Sequence, residues 1–507
     1  MKRLWWPLLI LAICLPVALL ALDVPLPGVS SGATRARPLA VPDGDQELAY
    51  LHTTTNAATW ERLVSGVARL PSVVPGLTVD DAAAFQDSTT AVPELVLARA
   101  GHPGKLRVRW YKLNRDASTA DWVDALATRA PAPLAVVGGG STDRAVELAR
   151  AMNGRATWAG PPPALFITTA TADEIQTGDG HPRLVDIYDN RSFRFCFSNR
   201  QMADAVLDFV WATPDLTPID FTELARRAAC PPLAAWPNRP EFRPNVLSAV
   251  WGDDPYSVDL QSQFGAALRE RFAARPNGAV GYDYQQLRMT FSVGGFQQPN
   301  AEEAVNAAGI ADVLRGLPPQ RSLLVLPTVA QPARRFLRAV LEAYPDAARQ
   351  LVVVTGDGIP VNAILRDGEF AWPVGALNVP LVLFTHNDPV AWDAVPHPSG
   401  YAFAPPTGTE EATHFGEMGR VIAEACFPTG GSTVRDADEL IGRLHGLSPA
   451  FFDGNGERLG GTGEHVVVVR PRDHTPTGAA DLGVWKRNGG GRWVPVRTVP
   501  VAGGGKP

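Results

Sequence analysis

Short runs of four apolar residues, Leu323–Leu326, Leu351–Val354 and Leu381–Phe384, recur between amphipathic stretches of helical period. A strand that is apolar at both alternations has to be covered on both faces. Helices on either side are the usual cover, which makes the sheet parallel and the chain a succession of βαβ units. Strands are expected at Glu47–His52, Leu106–Leu113, Leu134–Val137, Ala164–Thr168, Asn245–Trp251, Leu287–Val293, Ser322–Leu326, Leu351–Thr355 and Pro380–Thr385. Helices are expected at Thr59–Leu70, Ala120–Arg129, Thr142–Met152, Gln201–Trp211, Ser257–Ala274, Ala301–Arg315, Pro332–Ala343 and Glu410–Cys426. In Thr142–Met152 the apolar residues Ala145, Leu148, Ala149 and Met152 share one face. The fold class is α/β. Two further strands, His465–Arg470 and Trp493–Thr498, are expected before a Gly-rich tail.

A chain of 507 residues exceeds one ordinary core, so at least two packed units are expected. A Pro-rich passage at 212–244 separates two sets of strand–helix units, as a domain boundary or as a surface excursion. The net charge of -6, with both signs dispersed, lacks the basic footprint of a nucleic-acid binder. No nucleic-acid partner is expected.

The N-terminus carries an address. Lys2 and Arg3 precede nineteen uncharged residues, Leu4–Leu22, and Asp23 ends the run. That layout fits an uncleaved membrane anchor, a cleaved signal peptide or a lipoprotein signal around Cys14. Ala18-Leu19-Leu20-Ala21 offers no clean small-x-small cut, and Ile13 stands where lipidation prefers a small residue. All three readings place the rest of the chain outside the cytoplasm, in the periplasm or its equivalent. Residues 23–44, rich in Pro, Gly and Ser, read as a linker. Beyond Cys14 stand Cys196, Cys230 and Cys426, too few for a disulfide framework. Either Cys196 bridges Cys230, or these are buried free thiols.

In parallel α/β sheets a ligand lies beyond the C-terminal ends of the strands. The loops there are Thr53-Thr54-Thr55-Asn56, Gly138-Gly139-Gly140-Ser141-Thr142, Thr168-Thr169-Ala170-Thr171, Asp253-Asp254-Pro255-Tyr256, Pro327-Thr328-Val329 and Thr355-Gly356-Asp357-Gly358. Hydroxyls beside the free N–H groups of helix N-termini suit an anionic group, and an acid such as Asp357 suits an ammonium. The same Ser, Thr and Asp residues also serve simply as helix caps.

Catalytic motifs are missing. Asp143 stands where a dinucleotide fingerprint needs its third glycine, and neither a Walker A loop nor HExxH occurs. The one GxSxG string, Gly28–Gly32 around Ser30, lies in the linker rather than at a strand–helix elbow. His386 and Asp388 are either a pair of metal ligands or, more commonly for such positions, hydrogen-bonded residues ending a buried strand. No catalytic residue, metal ligand or cofactor is assigned.

The order of segments resembles the type I periplasmic binding proteins, in particular the solute-binding proteins of branched-chain amino acid ATP-binding-cassette (ABC) transporters. The segments are PLAVVGGGSTDRAVELARAM (133–152), ALFITTATADEI (164–175), FRFCFSNRQMADAVLDFVW (193–211), VLSAVWGDDPYSVDLQSQF (246–264), LLVLPTVAQPARRFLRAV (323–340) and VVVTGDGI (352–359). FFDGNGERL (451–459) and GRWVPV (491–496) resemble the family's closing strands, so the resemblance spans about 46–500.

The resemblance implies two Rossmann-like lobes with parallel sheets, joined by three hinge strands. Lobe 1 would hold 45–195 plus 395–445 and lobe 2 would hold 196–394, with 446–507 a C-terminal hinge and strand segment after the 1–22 signal or anchor and the linker. It also implies that Ser141 and Thr142 bind a ligand carboxylate, with Thr169 and Thr171 in the neighbouring turn. Tyr256 would be the aromatic of lobe 2, and Asp357 the acid that meets an amino group. The loop Pro327-Thr328-Val329 departs from the pattern in lacking an aromatic. The expected function is non-enzymatic capture of a small polar ligand, an amino acid or similar, for the permease subunits of an ABC importer. The alternative is a membrane-tethered sensor or scaffold of the same fold with altered or lost ligand binding.

Overall fold

A computed structural model describes residues 36–54, 57–86, 91–176, 180–188, 190–218, 246–273, 288–292, 301–316, 321–361, 379–389, 409–447, 451–459, 463–472 and 480–501. The apolar N-terminal segment with Cys14, the Gly28–Gly32 string, Cys230 with most of the Pro-rich passage, and the Gly-rich tail lie outside these residues. Among the described residues, no helix is long and apolar enough to cross a membrane. Cys196 and Cys426 are buried free thiols.

The first lobe is built on β1 (Gln46–Thr53), β2 (Leu77–Asp80), β3 (Glu94–Arg99), β4 (Leu106–Leu113), β5 (Ala135–Gly138), β6 (Ala164–Ile167) and β7 (Ser192–Arg194). Their order in the sheet is β2-β3-β4-β1-β5-β6-β7. Helices α1 (Ala57–Val67), α2 (Thr119–Thr128) and α3 (Thr142–Asn153) join them. After β7 the chain crosses to the second lobe and enters α4 (Asn199–Ala212). There follow β8 (Val246–Val250), α5 (Pro255–Ala273), β9 (Arg288–Ser292), α6 (Ala301–Gly316), β10 (Ser322–Val325), α7 (Ala330–Ala343), β11 (Leu351–Val354) and β12 (Leu381–Thr385). The chain then returns to lobe one, where α8 (Thr409–Cys426) packs on α1 and α9 (Ala437–Gly446) packs on α8. It crosses a third time to add β13 (His465–Pro471), β14 (Ala480–Arg487) and β15 (Trp493–Val501) to the second sheet. That sheet runs β15-β14-β13-β12-β11-β10-β8-β9. Two doubly wound lobes with three crossings form the architecture that the sequence resemblance implies.

Strand alternation explains the unbroken apolar runs. In β1, Leu48 and Tyr50 pack with Trp60 and Leu63 of α1, whereas Ala49 and Leu51 pack with Trp122 of α2 and Leu148 of α3. In lobe two, Leu324 and Val353 meet Phe336 and Leu337 of α7 on one face. Leu323, Val352 and Val354 meet Val206 of α4 and Phe264 of α5 on the other. Each fully buried aliphatic side chain of this kind contributes about 1.5–3 kcal/mol.

The parallel expectation holds for the central strands, β4-β1-β5-β6-β7 and β9-β8-β10-β11-β12. Both sheets then continue with antiparallel strands: β2 and β3 in lobe one, β13, β14 and β15 in lobe two. The sequence pattern missed β2, β3, β7, β14 and α9. These are edge strands, short elements or half-covered ones, so their apolar signal is thinner; β3, for example, buries only Leu95 and Leu97.

A cleft between the lobes as candidate functional site

The strand ends of lobe one present three turns to lobe two. Gly139, between β5 and α3, has φ of 75°. A Cβ there would stand 2.9 Å from that of Ala145, so only glycine lets α3 start this close to the strand. Ser141 occupies the N-cap position of α3 but makes no capping hydrogen bond from its side chain. Ser118 and Ser198, at the starts of α2 and α4, each form a full capping box. The Ser141 hydroxyl instead donates to Asp143 Oδ1 at 2.5 Å. Thr142 is buried. In the next turn, Thr169 Oγ1 donates to the Gly140 carbonyl at 3.1 Å. The buried Thr171 offers its carbonyl to Arg194 Nη1 and to the Asn199 N–H.

Lobe two answers with the starts of α5 and α7 and the loop after β11. Asp254 Oδ1 accepts the Tyr256 N–H at 3.2 Å, and its Oδ2 is shielded from solvent without a hydrogen-bond partner. Burial, with negative Asp253 and Asp143 nearby, pushes the Asp254 carboxyl up to about 6. The Tyr256 hydroxyl donates to Asp357 Oδ1 at 3.0 Å and accepts the Gly358 N–H at 3.0 Å. A Cβ on Gly356 would lie 2.8 Å from that hydroxyl, so the ring rests on bare backbone. Burial, followed by the Asp357 charge, raises the Tyr256 phenol well above its ordinary value and keeps it a neutral donor.

His386 completes the arrangement. The Phe197 N–H donates to its Nδ1 at 3.3 Å, which leaves the proton on Nε2, and Nε2 donates to Asp357 Oδ2 at 2.9 Å. Both Asp357 oxygens therefore receive protein donors. His414 lies beside His386, ring centroids 5.7 Å apart, and donates from Nε2 to the Thr168 carbonyl. Burial lowers its pKa to about 3, so it stays neutral. Asp388, two residues on from His386, accepts from Arg497 at 2.8 Å. Among the described residues, no group of three or more His, Cys, Asp or Glu side chains is placed to hold a metal ion.

These turns meet across one cleft of about 430 Å³. Gly140, Ser141, Thr142, Asp143, Thr169 and Thr171 line it from lobe one, and Asp254, Tyr256, Val329, Asp357 and Gly358 from lobe two. All six residues expected from the sequence lie on its walls. Sequence reasoning passed over Asp143 and Asp254 as site residues and treated His386 apart from Asp357. Asp143 and Asp254 had a readable signal, since each stands at a helix start in a loop already singled out. The pairing of His386 with Asp357 had none, because it joins two strand ends that only the sheet makes neighbours.

No protein-family model and no curated protein sequence matches the chain. Solved structures do. An ABC transporter substrate-binding protein from Desulfitobacterium hafniense in complex with Leu is 13% identical, with a TM-score of 0.47, covering 85% of this chain and 98% of its own. A leucine binding protein LivK from Thermotoga maritima is 13% identical, with a TM-score of 0.45, covering 90% and 98%. A solute binding protein of an ABC transporter from Rhodopseudomonas palustris, in complex with p-hydroxybenzoic acid, is 12% identical, with a TM-score of 0.45, covering 90% and 98%.

Proposed function

We propose that the protein captures a small polar ligand between its lobes and does so without catalysis, as an extracytoplasmic solute-binding protein serving an ABC importer. The observation that carries this reading is the common cleft: rims from two separate sheets converge on a volume within the ordinary range for small-molecule sites. Ser141, Thr142, Thr169 and Thr171 would supply hydroxyls and backbone N–H groups from lobe one, and Tyr256 and Asp357 a ring and an acid from lobe two. The buried Cys196 thiol, raised by burial to about 12, stays protonated and is a poor nucleophile.

One observation favours the second reading, a tethered sensor or scaffold with altered ligand binding. Tyr256 and His386 already occupy both oxygens of Asp357, the acid expected to meet an ammonium. Thermal denaturation across a panel of amino acids, amides, sugars, aromatic acids and amines separates the two. A ligand at about 100 times its Kd adds roughly 2.7 kcal/mol to the native state. Such a shift is expected for at least one class, and its absence across the panel would end the capture reading.

A further inference from the structure

Among the described residues, every charged side chain lining the cleft is a carboxylate: Asp143 from lobe one, Asp254 and Asp357 from lobe two. A zwitterion such as a free amino acid needs donors for its own carboxylate, and on lobe one two of the four hydroxyls are already engaged. The Ser141 hydroxyl is committed to Asp143, and that of Thr169 to a backbone carbonyl. A ligand carboxylate at the start of α3 would also face the negative charge of Asp143 in the helix's first turn. The next residue, Arg144, lines a neighbouring pocket instead and pairs with Glu147 at 2.8 Å.

The opposite wall has the same polarity. Asp254 takes the Tyr256 N–H at the start of α5, and among the described residues no cation is paired with it. The starts of α3, α5 and α7 supply roughly half a positive charge each, which offsets three carboxylates only in part. We propose that the cleft selects an organic cation, carrying amino, amidino or guanidino groups and no acidic group, with donors reaching Asp143 on one lobe and Asp254 on the other. This rests on reading the cleft as a ligand site and names the class of that ligand. The carboxylates are spread over two walls rather than gathered as a metal centre, which suits an extended molecule with charge at more than one point. Acids that face each other across the cleft repel while it holds no cation, so a bridging cation also favours closure.

The test is calorimetric titration of the full-length protein with agmatine, putrescine and spermidine, set against leucine and glutamine as zwitterions and 4-hydroxybenzoate as an anion. At least one cation is expected to bind in preference to all three others. Asp143→Asn and Asp254→Asn should each weaken it by about tenfold, the scale of one hydrogen bond to a charged group. Raising NaCl from about 0.05 to about 0.5 M should weaken it further. Melting of each variant without ligand checks its fold, and if one fails to fold the other carries the test. Preference for a zwitterion or the anion overturns the charge assignment and leaves small-ligand capture standing. Cation binding that both Asn variants leave unchanged removes the ligand from this cleft and overturns the proposal. Silence from every probe overturns the cation assignment, whereas the capture reading falls only with silence across the wider thermal panel.

Discussion

Acidic side chains meet the junction between the lobes on two sides, and their surroundings differ. On the crossover side, Arg194 is fully buried, ion-paired with Glu457, and donates to the Thr171 and Ala172 carbonyls at 2.8 and 2.7 Å. Asp259 of α5 reaches across to lobe one and accepts the backbone N–H of Asp173 at 2.8 Å and of Glu174 at 3.2 Å. The Asn199 amide donates to the same carboxylate at 2.8 Å. Arg458 pairs with Glu417 at 3.0 Å and stacks 4.4 Å from the centre of the Phe197 ring. Acids here are matched by arginines, backbone donors or both. On the cleft side, among the described residues, neither a guanidinium nor an ammonium is paired with Asp143 or Asp254. Arginines stand beside the acids at one edge, and among the described residues none lines the other.

The largest test of that contrast is Arg194→Met. Removing the guanidinium leaves Glu457 with Arg183 alone, strips Asp173 of its nearest cation and takes a donor from the Thr171 and Ala172 carbonyls, so destabilisation of about 3–5 kcal/mol is expected in urea unfolding. A cost under about 1 kcal/mol would show that the crossover is not held by its charges.

The second test is pH. Burial pushes Asp173 up to about 6, outweighing the pull of Arg194, with like-charged Asp259 adding to the rise. Because the folded value lies above the unfolded one, the stability from this group is fully present below about pH 4 and is lost as pH rises through about 6. A displacement of about two units amounts to about 3 kcal/mol at most. Thermal melts from pH 4 to 7.5 should show Asp173→Asn losing this part of the decline relative to the natural protein. Parallel melting curves for the two would remove Asp173 from the crossover account.

The smallest effect belongs to the cleft. Asp254→Asn retains the acceptor for the Tyr256 N–H and removes a charge that the fold disfavours. Stability at pH 8 should stay within about 1 kcal/mol of the natural protein, on the side of an increase. A loss above about 2 kcal/mol would mean that the cleft acids hold the lobes together too, and the contrast would collapse.

How far the chain alone could be read follows from which contacts are local. Leu323–Leu326 and Leu351–Val354 announced themselves as doubly covered strands because alternation puts every second residue on the same face, and both faces were apolar. The turn at Gly138–Thr142 was readable for a similar reason as a tight strand-to-helix connection, open to a ligand or to a simple helix-cap role. β3 and β14 were not readable in this way, because an edge or partly covered strand carries polar residues that make its pattern resemble a loop. Asp143 and Asp254 were visible as helix-start residues, yet their lack of counter-charge could not be seen, since it depends on what the other lobe brings.

By itself the sequence determined the βαβ succession and the faces of its helices, consequences of spacing within a few residues, while the six residues found on the cleft walls were expected only through the resemblance in segment order. Only the tertiary structure decided that those walls face one another, that His386 and Tyr256 hold Asp357, and that, among the described residues, arginines gather at the crossover and not in the cleft. Charge balance at a point is a sum over side chains far apart in the chain, and folding alone brings them within reach of one another.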